Sequence, residues 1–383
     1  MVAIGLLDIP LEIQLQIAEF VETGQALKAL SLTSRSLRSI AQSVLFERLR
    51  INLASELRGS FDDLLANPRI CASIHFFELR GRYQPSAKEE EKLSLIASLL
   101  PAMVGLRAVL IYNCNISVEF MGAFLRIAEN MPLRIKLGWN TYAPGIWPMP
   151  NQPLRISHLH LASPVQHTSL NFYKSTLRAC STSLTELNVI VDGDELTLLA
   201  DIDLPTLHSL TLIMRGGDCS RTSATAFISA QKTIRKLDLR GKIDPPPAVP
   251  LDALPNLREL NAPTALVNHL VPGRPVEAIE VSSSQSSDQD WFGAEVAQST
   301  ARVRKLRVHL NIAILDTRMV KRMVTILPSL ESLWLSVFDD VSDLSLKYLG
   351  SFSSRHSSKS SKFSPPSSVS RAYTSVCPVA KSG

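Results

Sequence analysis

The chain has 383 residues, 45% of them hydrophobic and 20% charged, a composition typical of globular proteins rather than disordered chains. Five of its 40 basic residues and none of its 35 acidic residues lie in 351–383, so residues 1–350 are formally neutral, which argues against a nucleic-acid partner. Five widely spaced cysteines without a CxxC pair favour reduced thiols in the cytoplasm or the nucleus.

Three short helices are predicted in the first fifty residues. The first covers Asp8–Val21, with Pro10 where a helix start tolerates a proline. The second covers Gln25–Thr33. The third begins after Thr33-Ser34, either of which could cap it, and extends to Leu49. The opening MVAIGLLDIP lacks the basic region and the long apolar run of a signal peptide, so none is expected.

The apolar surface of the first helix is roughly twice as wide as the apolar stripe of an ordinary surface helix. Wound at about 100° per residue, it has two apolar flanks, formed by Ile13, Ile17, Phe20 and Val21 and by Leu11, Leu15 and Ala18. A unit of about 45 residues is near the lower limit for folding alone. We therefore expect one flank to pack on the rest of the chain and the other to contact a partner protein.

In order and spacing, these first fifty residues resemble an F-box. The matching positions are Ile9-Pro10-x-Glu12-Ile13, Ile17, Leu27-x-x-Leu30-Ser31-Leu32-Thr33, Arg35-x-Leu37, Ile40-Ala41 and Leu45-Phe46-Glu47-Arg48-Leu49. Two departures are Ile9, where leucine is usual, and Glu22-Thr23-Gly24-Gln25 in place of an Asp-Leu-rich turn. Neither departure removes apolar area.

The resemblance implies a partner. F-box helices bind a Skp-family linker protein, which connects them to the cullin of a ubiquitin ligase. By this resemblance, the linker docks on the first helix through Ile9, Pro10, Ile13 and Ile17. Four leucines are added as positions that either dock or pack internally, namely Leu27, Leu30, Leu32 and Leu37.

The middle of the chain repeats the pattern apolar-x-x-apolar-x-apolar. Copies begin at Ile74, Leu106, Ile156, Leu184, Leu207, Ile234, Leu257, Val276, Val303 and Leu330. From Ile156 onward the starts are 19 to 28 residues apart, close to the period of leucine-rich repeats, and a degenerate copy fits at Pro132–Trp139. The pattern predicts an α/β fold, in which a leucine-rich-repeat solenoid carries a parallel sheet on its concave face.

Within each strand, the fourth and sixth pattern positions should point into the core and the residues between them outward. The outward positions that we expect to bind a target protein are His158, His160, Lys236, Asp238, Arg240, Lys305, Arg307, His309 and Trp334. Among them, Lys305, Arg307 and His309 beside Trp334 form the predicted hot spot, because binding hot spots favour arginine and tryptophan. The alternative is a solvated strand face with one stray aromatic residue.

The segment Leu93–Tyr112 is the nearest approach to a membrane span. Pro101 interrupts this apolar run and Arg107 places a charge within it, so a helix, a turn and a buried strand are predicted instead. No membrane partner is expected, and the protein should be soluble.

No motif for catalysis or for a cofactor is recognisable. His158 and His160 lie on one side of a strand, as a metal pair would, but no third ligand is near in sequence. Asp192-Gly193-Asp194-Glu195 is interpreted as an acidic turn, and no P-loop, HExxH or nucleophile elbow occurs. We therefore expect no enzyme activity, no metal and no cofactor.

Residues 351–383 lose the repeat pattern and contain 13 serines and no acidic residue, so a disordered tail is predicted. The tail is either a phosphorylatable regulatory segment or the product of an altered reading of the gene, since the repeats end without an evident cap. The predicted domains are thus a three-helix F-box at 1–50, the solenoid at 51–350 and this tail.

The predicted function is that of a substrate-recognition subunit of an SCF-type ubiquitin ligase, by resemblance to F-box proteins. The F-box would dock the Skp-family linker, and the repeats would bind an unidentified target protein. The alternative is a non-catalytic leucine-rich scaffold or regulator that delivers nothing for ubiquitination. Either protein would act in the cytoplasm, the nucleus or both.

Overall fold

The structure is a computed structural model, and it describes part of the chain. The described residues are 9–21, 23–55, 64, 66–82, 86–142, 150, 152–162, 168–192, 199, 201–215, 221–241, 249–282, 294–311, 317–338 and 346–351. The prediction for the tail lies outside these residues except at Ser351, and so does the predicted acidic turn except at Asp192.

Helices and strands alternate along most of the described chain. The α-helices there are α1 Leu11–Glu19, α2 Gly24–Thr33, α3 Arg35–Phe46, α4 Pro68–Ala72, α5 Ala87–Leu99, α6 Val118–Asn130, α7 Thr168–Cys180, α8 Arg221–Ala230, α9 Thr264–Leu270 and α10 Thr317–Ile326. The strands there are β1 Arg48–Asn52, β2 Phe76–Arg80, β3 Ala108–Tyr112, β4 Asn115–Ile116, β5 Leu133–Gly138, β6 Thr141–Tyr142, β7 Ile156–Ala162, β8 Glu186–Asp192, β9 Ser209–Arg215, β10 Lys236–Arg240, β11 Glu259–Pro263, β12 Ala278–Ser282, β13 Lys305–Asn311, β14 Ser332–Phe338 and β15 Leu346–Ser351.

The three N-terminal helices form a unit with a small core of its own. The side-chain hydroxyls of Thr23 and Ser34 cap the N-termini of α2 and α3. Thr23 accepts a hydrogen bond from the Ala26 amide at 3.2 Å, and Ser34 accepts one from the Leu37 amide at 3.1 Å. The buried side chains that fill the unit are Ala18, Leu27, Leu37, Ile40 and Ala41. The predicted helix order and the capping role of Ser34 are confirmed.

The predicted end of the third helix at Leu49 is wrong. Helix α3 ends at Phe46, and the chain continues after one residue into β1, which pairs in parallel with β2. The Glu47 carbonyl accepts hydrogen bonds from the amides of His75 and Phe76, both at 3.0 Å, and so joins the helix end to the next strand. A boundary at residues 50 and 51 would therefore cut through β1.

One long sheet organises the rest of the described chain. Its thirteen strands follow sequence order, β1-β2-β3-β5-β7-β8-β9-β10-β11-β12-β13-β14-β15, while β4 and β6 form a separate pair. Neighbouring strands from β1 to β14 are parallel. All ten pattern copies coincide with strands, and the degenerate copy is β5, so the predicted strands are confirmed. Such a mixed α/β architecture is consistent with a repeat solenoid.

Apolar rows fill the side of the sheet that faces the core. Leu210, Leu237 and Leu260 are aligned on neighbouring strands, and each is almost completely buried, as the fourth pattern position predicts. The segment Leu93–Tyr112 is confirmed as the end of helix α5, a 3-10 turn and strand β3. Among the described residues, no helix combines the length and the apolar character needed to cross a bilayer.

Hydroxyl groups connect successive repeats. Ser183 donates to the Ile156 carbonyl at 3.1 Å, and Thr206 donates to the Leu184 carbonyl at 2.8 Å. Thr233 makes the same kind of bond with the Leu207 carbonyl at 2.8 Å. Each of these side chains directly precedes a pattern copy and reaches the carbonyl of the previous one. These bonds satisfy backbone groups that the turns between repeats would otherwise leave without partners.

Two buried polar side chains hold the segments that lie between the strands. The Gln231 carbonyl oxygen accepts from the Leu204 amide at 3.0 Å, and its amide group donates to the Ile202 carbonyl at 2.7 Å. The Arg274 side chain is completely buried. Its guanidinium donates to the carbonyls of Val249, Pro250, Ala253, His269, Leu270 and Pro272.

The C-terminal edge of the parallel sheet is covered, which differs from the expectation that the repeats end without a cap. Strand β15 pairs antiparallel with β14, from Ser351 opposite Ser332 to Leu346 opposite Val337. Backbone pairing of this kind needs no repeat pattern, so the repeat pattern could not predict it.

Candidate protein-interaction surfaces

The strand face is the outward side of β1 to β14, where aligned residues form rows across the sheet. The first row contains Arg48, Phe76, Ala108, Arg134, His158, Glu186, Ser209, Lys236, Glu259, Ala278, Lys305 and Ser332. The second contains Arg50, Glu78, Leu110, Lys136, His160, Asn188, Thr211, Asp238, Asn261, Glu280, Arg307 and Trp334. Every predicted target-binding residue except Arg240 and His309 lies in these rows, and those two lie two residues further along their strands.

Arg307, His309 and Trp334 of the predicted hot spot lie together near the C-terminal end of the strand face. The Arg307 guanidinium carbon lies 3.8 Å from the centroid of the Trp334 ring, and Arg307 Nη1 is 3.1 Å from Glu280 Oε2. His309 Nε2 lies 3.1 Å from the other oxygen of the same carboxylate. Glu280 therefore holds both neighbours in place, a role that sequence reasoning did not assign to it.

Asp238 and Arg240 pair with each other on one strand. Arg240 Nε is 3.0 Å from Asp238 Oδ1, and Arg240 Nη2 is 2.7 Å from Asp238 Oδ2. The hydrogen bonds from Asp238 raise the pKa of the Arg240 guanidinium, against an opposing effect of burial. Asp238 is buried, so its predicted role as an open binding residue is corrected: its carboxylate orients Arg240 instead.

The two histidines at the middle of the strand face differ. His158 Nε2 lies 3.2 Å from Glu186 Oε1, and its other ring nitrogen lies 2.8 Å from Ser157 Oγ. Burial, together with the charge of Lys136, lowers the pKa of His160 to about 4, so His160 is neutral at neutral pH. Within the described part of the chain, no three His, Cys, Asp or Glu side chains converge as a metal site would require.

The N-terminal end of the strand face is basic, which sequence reasoning missed. We call it the basic end: Arg48, Arg50, Arg80, Arg134 and Lys136, with the apolar side chains of Phe76, Ala108, Leu110 and Tyr112 between them. Its one carboxylate, Glu78, is buried and pairs with Arg50 at 3.1 Å and with Arg80 at 2.5 Å. The whole-chain charge concealed this local excess, which the outward positions of the first strands would have revealed.

Two shallow grooves cross the strand face. The first, of about 500 Å³, extends from Phe76 past Lys136 and His160 to Thr211. The second, of about 520 Å³, extends from Lys236 past Glu280 to Trp334. Both are open surfaces that suit part of another macromolecule better than an enclosed small molecule.

A second candidate surface lies on α1. Its large apolar side chains remain exposed: Leu11 60%, Ile13 43%, Leu15 37%, Ile17 40% and Phe20 86%. The described residues that α1 buries are Gln14 and Ala18. The expectation that one flank packs on the rest of the chain therefore holds for Ala18 but not for Leu11 and Leu15, which share its flank and are exposed.

The buried side of α1 is formed by one small and one polar side chain, Ala18 and Gln14. Ala18 is small enough for close packing, and the Gln14 amide group donates to the Ile9 carbonyl at 2.8 Å. A helix that buries only this narrow stripe leaves its large apolar residues exposed.

Comparison with known proteins identifies this N-terminal unit. Residues 6–49 match the family model of the F-box domain. The chain contains an F-box domain. No curated protein matches the chain. A solved structure described as the crystal structure of a TLR13–ssRNA13 complex is similar at 12% identity and a TM-score of 0.31, over 78% of this chain. This chain spans 56% of the length of that chain.

Within the F-box, the predicted linker-docking residues divide into three groups by exposure. Pro10, Ile13, Ile17 and Leu32 are exposed, with Leu32 at 77%. Leu27 and Leu37 are buried in the small core, whereas Leu30 and Ile9 are half-buried. Docking and internal packing were both open for Leu27 and Leu37, and the structure shows that they pack internally. Sequence reasoning left Leu11, Leu15 and Phe20 out of the docking set.

The buried cysteines offer no reactive nucleophile. Cys71, Cys114 and Cys180 are free thiols, and burial raises the pKa of Cys114 and of Cys180 to about 12. A thiol with so high a pKa is protonated at neutral pH and is therefore a poor nucleophile.

Proposed function

We propose that this protein is an adaptor of an SCF-type ubiquitin ligase that docks a Skp-family linker on α1 and holds a target protein on the strand face. The observation that carries the proposal is the exposed apolar surface of α1 within a domain that matches the F-box family model. The linker would connect the chain to a cullin, and the chain itself would perform no catalysis. Its place of action would be the cytoplasm or the nucleus.

The chemistry of α1 supports protein docking. Burying an exposed leucine or isoleucine contributes about 1.5–3 kcal/mol, so five large apolar residues on and beside a single helix form a strong site for an apolar partner surface. Leu32, at the end of α2, extends the surface beyond α1. The proposed docking set is therefore Pro10, Leu11, Ile13, Leu15, Ile17, Phe20 and Leu32.

The strand face supports target binding by a leucine-rich-repeat solenoid. The pattern period, the sequence-ordered parallel strands and the apolar inner rows all fit that architecture. The proposed target-binding residues are His158, His160, Lys236, Arg240, Lys305, Arg307, His309 and Trp334, with Asp238 and Glu280 as positioning groups.

Ile13→Asp is expected to weaken linker binding by about 100-fold, because a desolvated carboxylate would replace an apolar anchor. The measurement is co-purification, followed by titration calorimetry, of the full chain with a purified Skp-family linker. Circular dichroism of the variant should match that of the wild type, because the Ile13 side chain is 43% exposed in the free chain.

Val104→Asp is the matched control, since Val104 is an exposed apolar residue, at 65%, outside the F-box. It should bind the linker as tightly as the wild type. Equal affinity of all three proteins, or no affinity of a well-folded wild type, would contradict docking on α1. If the linker binds but a reconstituted ligase transfers no ubiquitin to any target held on the strand face, the scaffold alternative is correct.

A further inference from the structure

The two ends of the strand face differ in charge. On β1 to β7 the outward positions carry five positive side chains (Arg48, Arg50, Arg80, Arg134 and Lys136) and one carboxylate (Glu78), beside the neutral His160. On β8 to β14 the described outward side chains carry four positive groups (Lys236, Arg240, Lys305 and Arg307) and four carboxylates (Glu186, Asp238, Glu259 and Glu280). The excess of positive charge is therefore confined to the basic end.

Three of these cations have no carboxylate partner among the described residues: Arg48, Arg134 and Lys136. Arg48 lies over the Phe76 ring, with 5.8 Å from its guanidinium carbon to the ring centroid. Lys136 lies over the Tyr112 ring, with its ammonium nitrogen 5.6 Å from the centroid. The rings hold the cations in place and leave their hydrogen-bond donors to a ligand.

The spacing between the cations defines the shape of that ligand. Arg48 on β1 and Arg134 on β5 belong to one row, and Phe76 and Ala108 lie between them. Three steps between neighbouring strands, of about 4.8 Å each, separate Arg48 from Arg134 by about 14 Å. This is the length of roughly four residues of extended chain. In an extended peptide, residues i, i+2 and i+4 point to the same side.

We propose that the basic end binds an extended acidic segment of the target protein, with carboxylates at positions i and i+4 and an apolar residue at i+2. The segment crosses the strands, so that its carboxylates contact the unpaired cations of β1 and β5. Its apolar side chain lies against Phe76, Ala108 and Leu110, at the start of the first groove. This inference deepens the proposed function by giving the chemistry of the target, but the surface itself does not depend on linker binding.

A nucleic-acid strand fits these observations less well. Its phosphates would continue past β7, where Glu186 and the other carboxylates of the strand face repel them. Base stacking needs open aromatic faces, whereas Phe76 and Tyr112 are half-buried beneath Arg48 and Lys136. A short acidic peptide with one apolar residue matches both the extent and the composition of the basic end.

The probe is a fluorescein-labelled peptide of sequence GSESLSESG, titrated with the full chain by fluorescence anisotropy, with and without the linker. Binding should weaken when the salt concentration rises, because exposed charges make the contacts. A peptide of the same composition with adjacent glutamates, GSEELSSSG, and an uncharged peptide, GSQSLSQSG, should each bind about tenfold more weakly or not at all.

The chain variant is Arg134→Gln with Lys136→Gln, which should weaken binding of GSESLSESG by about tenfold. The matched control is Lys232→Gln with Arg235→Gln, the same change at two exposed cations outside the two rows of the strand face, and it should bind as the wild type does.

Equal affinity of the two peptide spacings, or equal loss in both double variants, would overturn the proposal. Tighter binding of a labelled octauridine than of GSESLSESG would overturn it in favour of a nucleic-acid partner. Peptide binding that persists in a chain unable to bind the linker would leave this inference intact while the proposed ligase function fails.

Discussion

Arg274→Met is expected to lower the free energy of unfolding by about 3–5 kcal/mol. The Arg274 guanidinium is completely buried and donates to carbonyls from two chain segments. These include the carbonyl oxygen of Pro250 at 2.6 Å and that of Ala253 at 2.9 Å. Methionine fills much of the space but donates no hydrogen bond, so several buried carbonyls lose their partners. Unfolding in urea, followed by circular dichroism, measures the loss.

The carbonyls at the end of α9 explain how a buried charge is tolerated there. The Leu270 carbonyl lies 3.1 Å from Arg274 Nη1, at the helix terminus where the dipole is negative. Burial lowers the pKa of the Arg274 guanidinium, and the charge of Asp252 opposes that shift.

Arg258→Met is the control for Arg274→Met, because Arg258 is exposed, and it should change the free energy of unfolding by less than about 1 kcal/mol. Similar stability of the two variants would show that the carbonyls do not need the guanidinium.

Gln231→Leu is expected to lower the free energy of unfolding by about 2–4 kcal/mol. The Gln231 side chain is completely buried, and it satisfies the Leu204 amide and the carbonyls of Ile202 and Phe227. Leucine has a similar volume, so the loss reflects unsatisfied backbone groups rather than a cavity. Urea unfolding gives the change in stability, and hydrogen exchange should show faster exchange of the Leu204 amide in the variant.

Gln298→Leu is the control for Gln231, because it makes the same change at an exposed position. Its free energy of unfolding should stay within about 0.5 kcal/mol of the wild type. If Gln231→Leu also stays within that limit and leaves exchange at Leu204 unchanged, the amide does not hold the segment before β9.

The sheet could be predicted from sequence because its signal is local and repeated. Leucines such as Leu210 and Leu237 recur at fixed pattern positions, and a side chain alternates between faces whatever its neighbours are. The paired strand β15 could not be predicted in this way, because backbone pairing with β14 leaves no periodic trace. Strand β1 was missed because the F-box resemblance extends the third helix through Leu49.

The site was predicted less completely, because burial of polar groups depends on tertiary contacts. Asp238 occupies an outward position, but its two bonds with Arg240 cover it. Glutamine is usually exposed to water, yet Gln14 is buried on α1 while Leu11 and Leu15 are exposed. Gln231 and Arg274 are likewise residue types that usually lie at the surface. They are buried because neighbouring segments of the chain fold over them.

The direct passage from α3 to β1 through Glu47 also determines how far a bound protein can lie from the docking helix. The Glu47 carbonyl accepts from the His75 and Phe76 amides, so the F-box and the first strands are attached without a flexible spacer. Each further strand moves a binding position by about 4.8 Å along the sheet. A ligand on the basic end and one at Trp334 are therefore separated by about 40 Å along the sheet, and the choice of strand sets the reach of the adaptor.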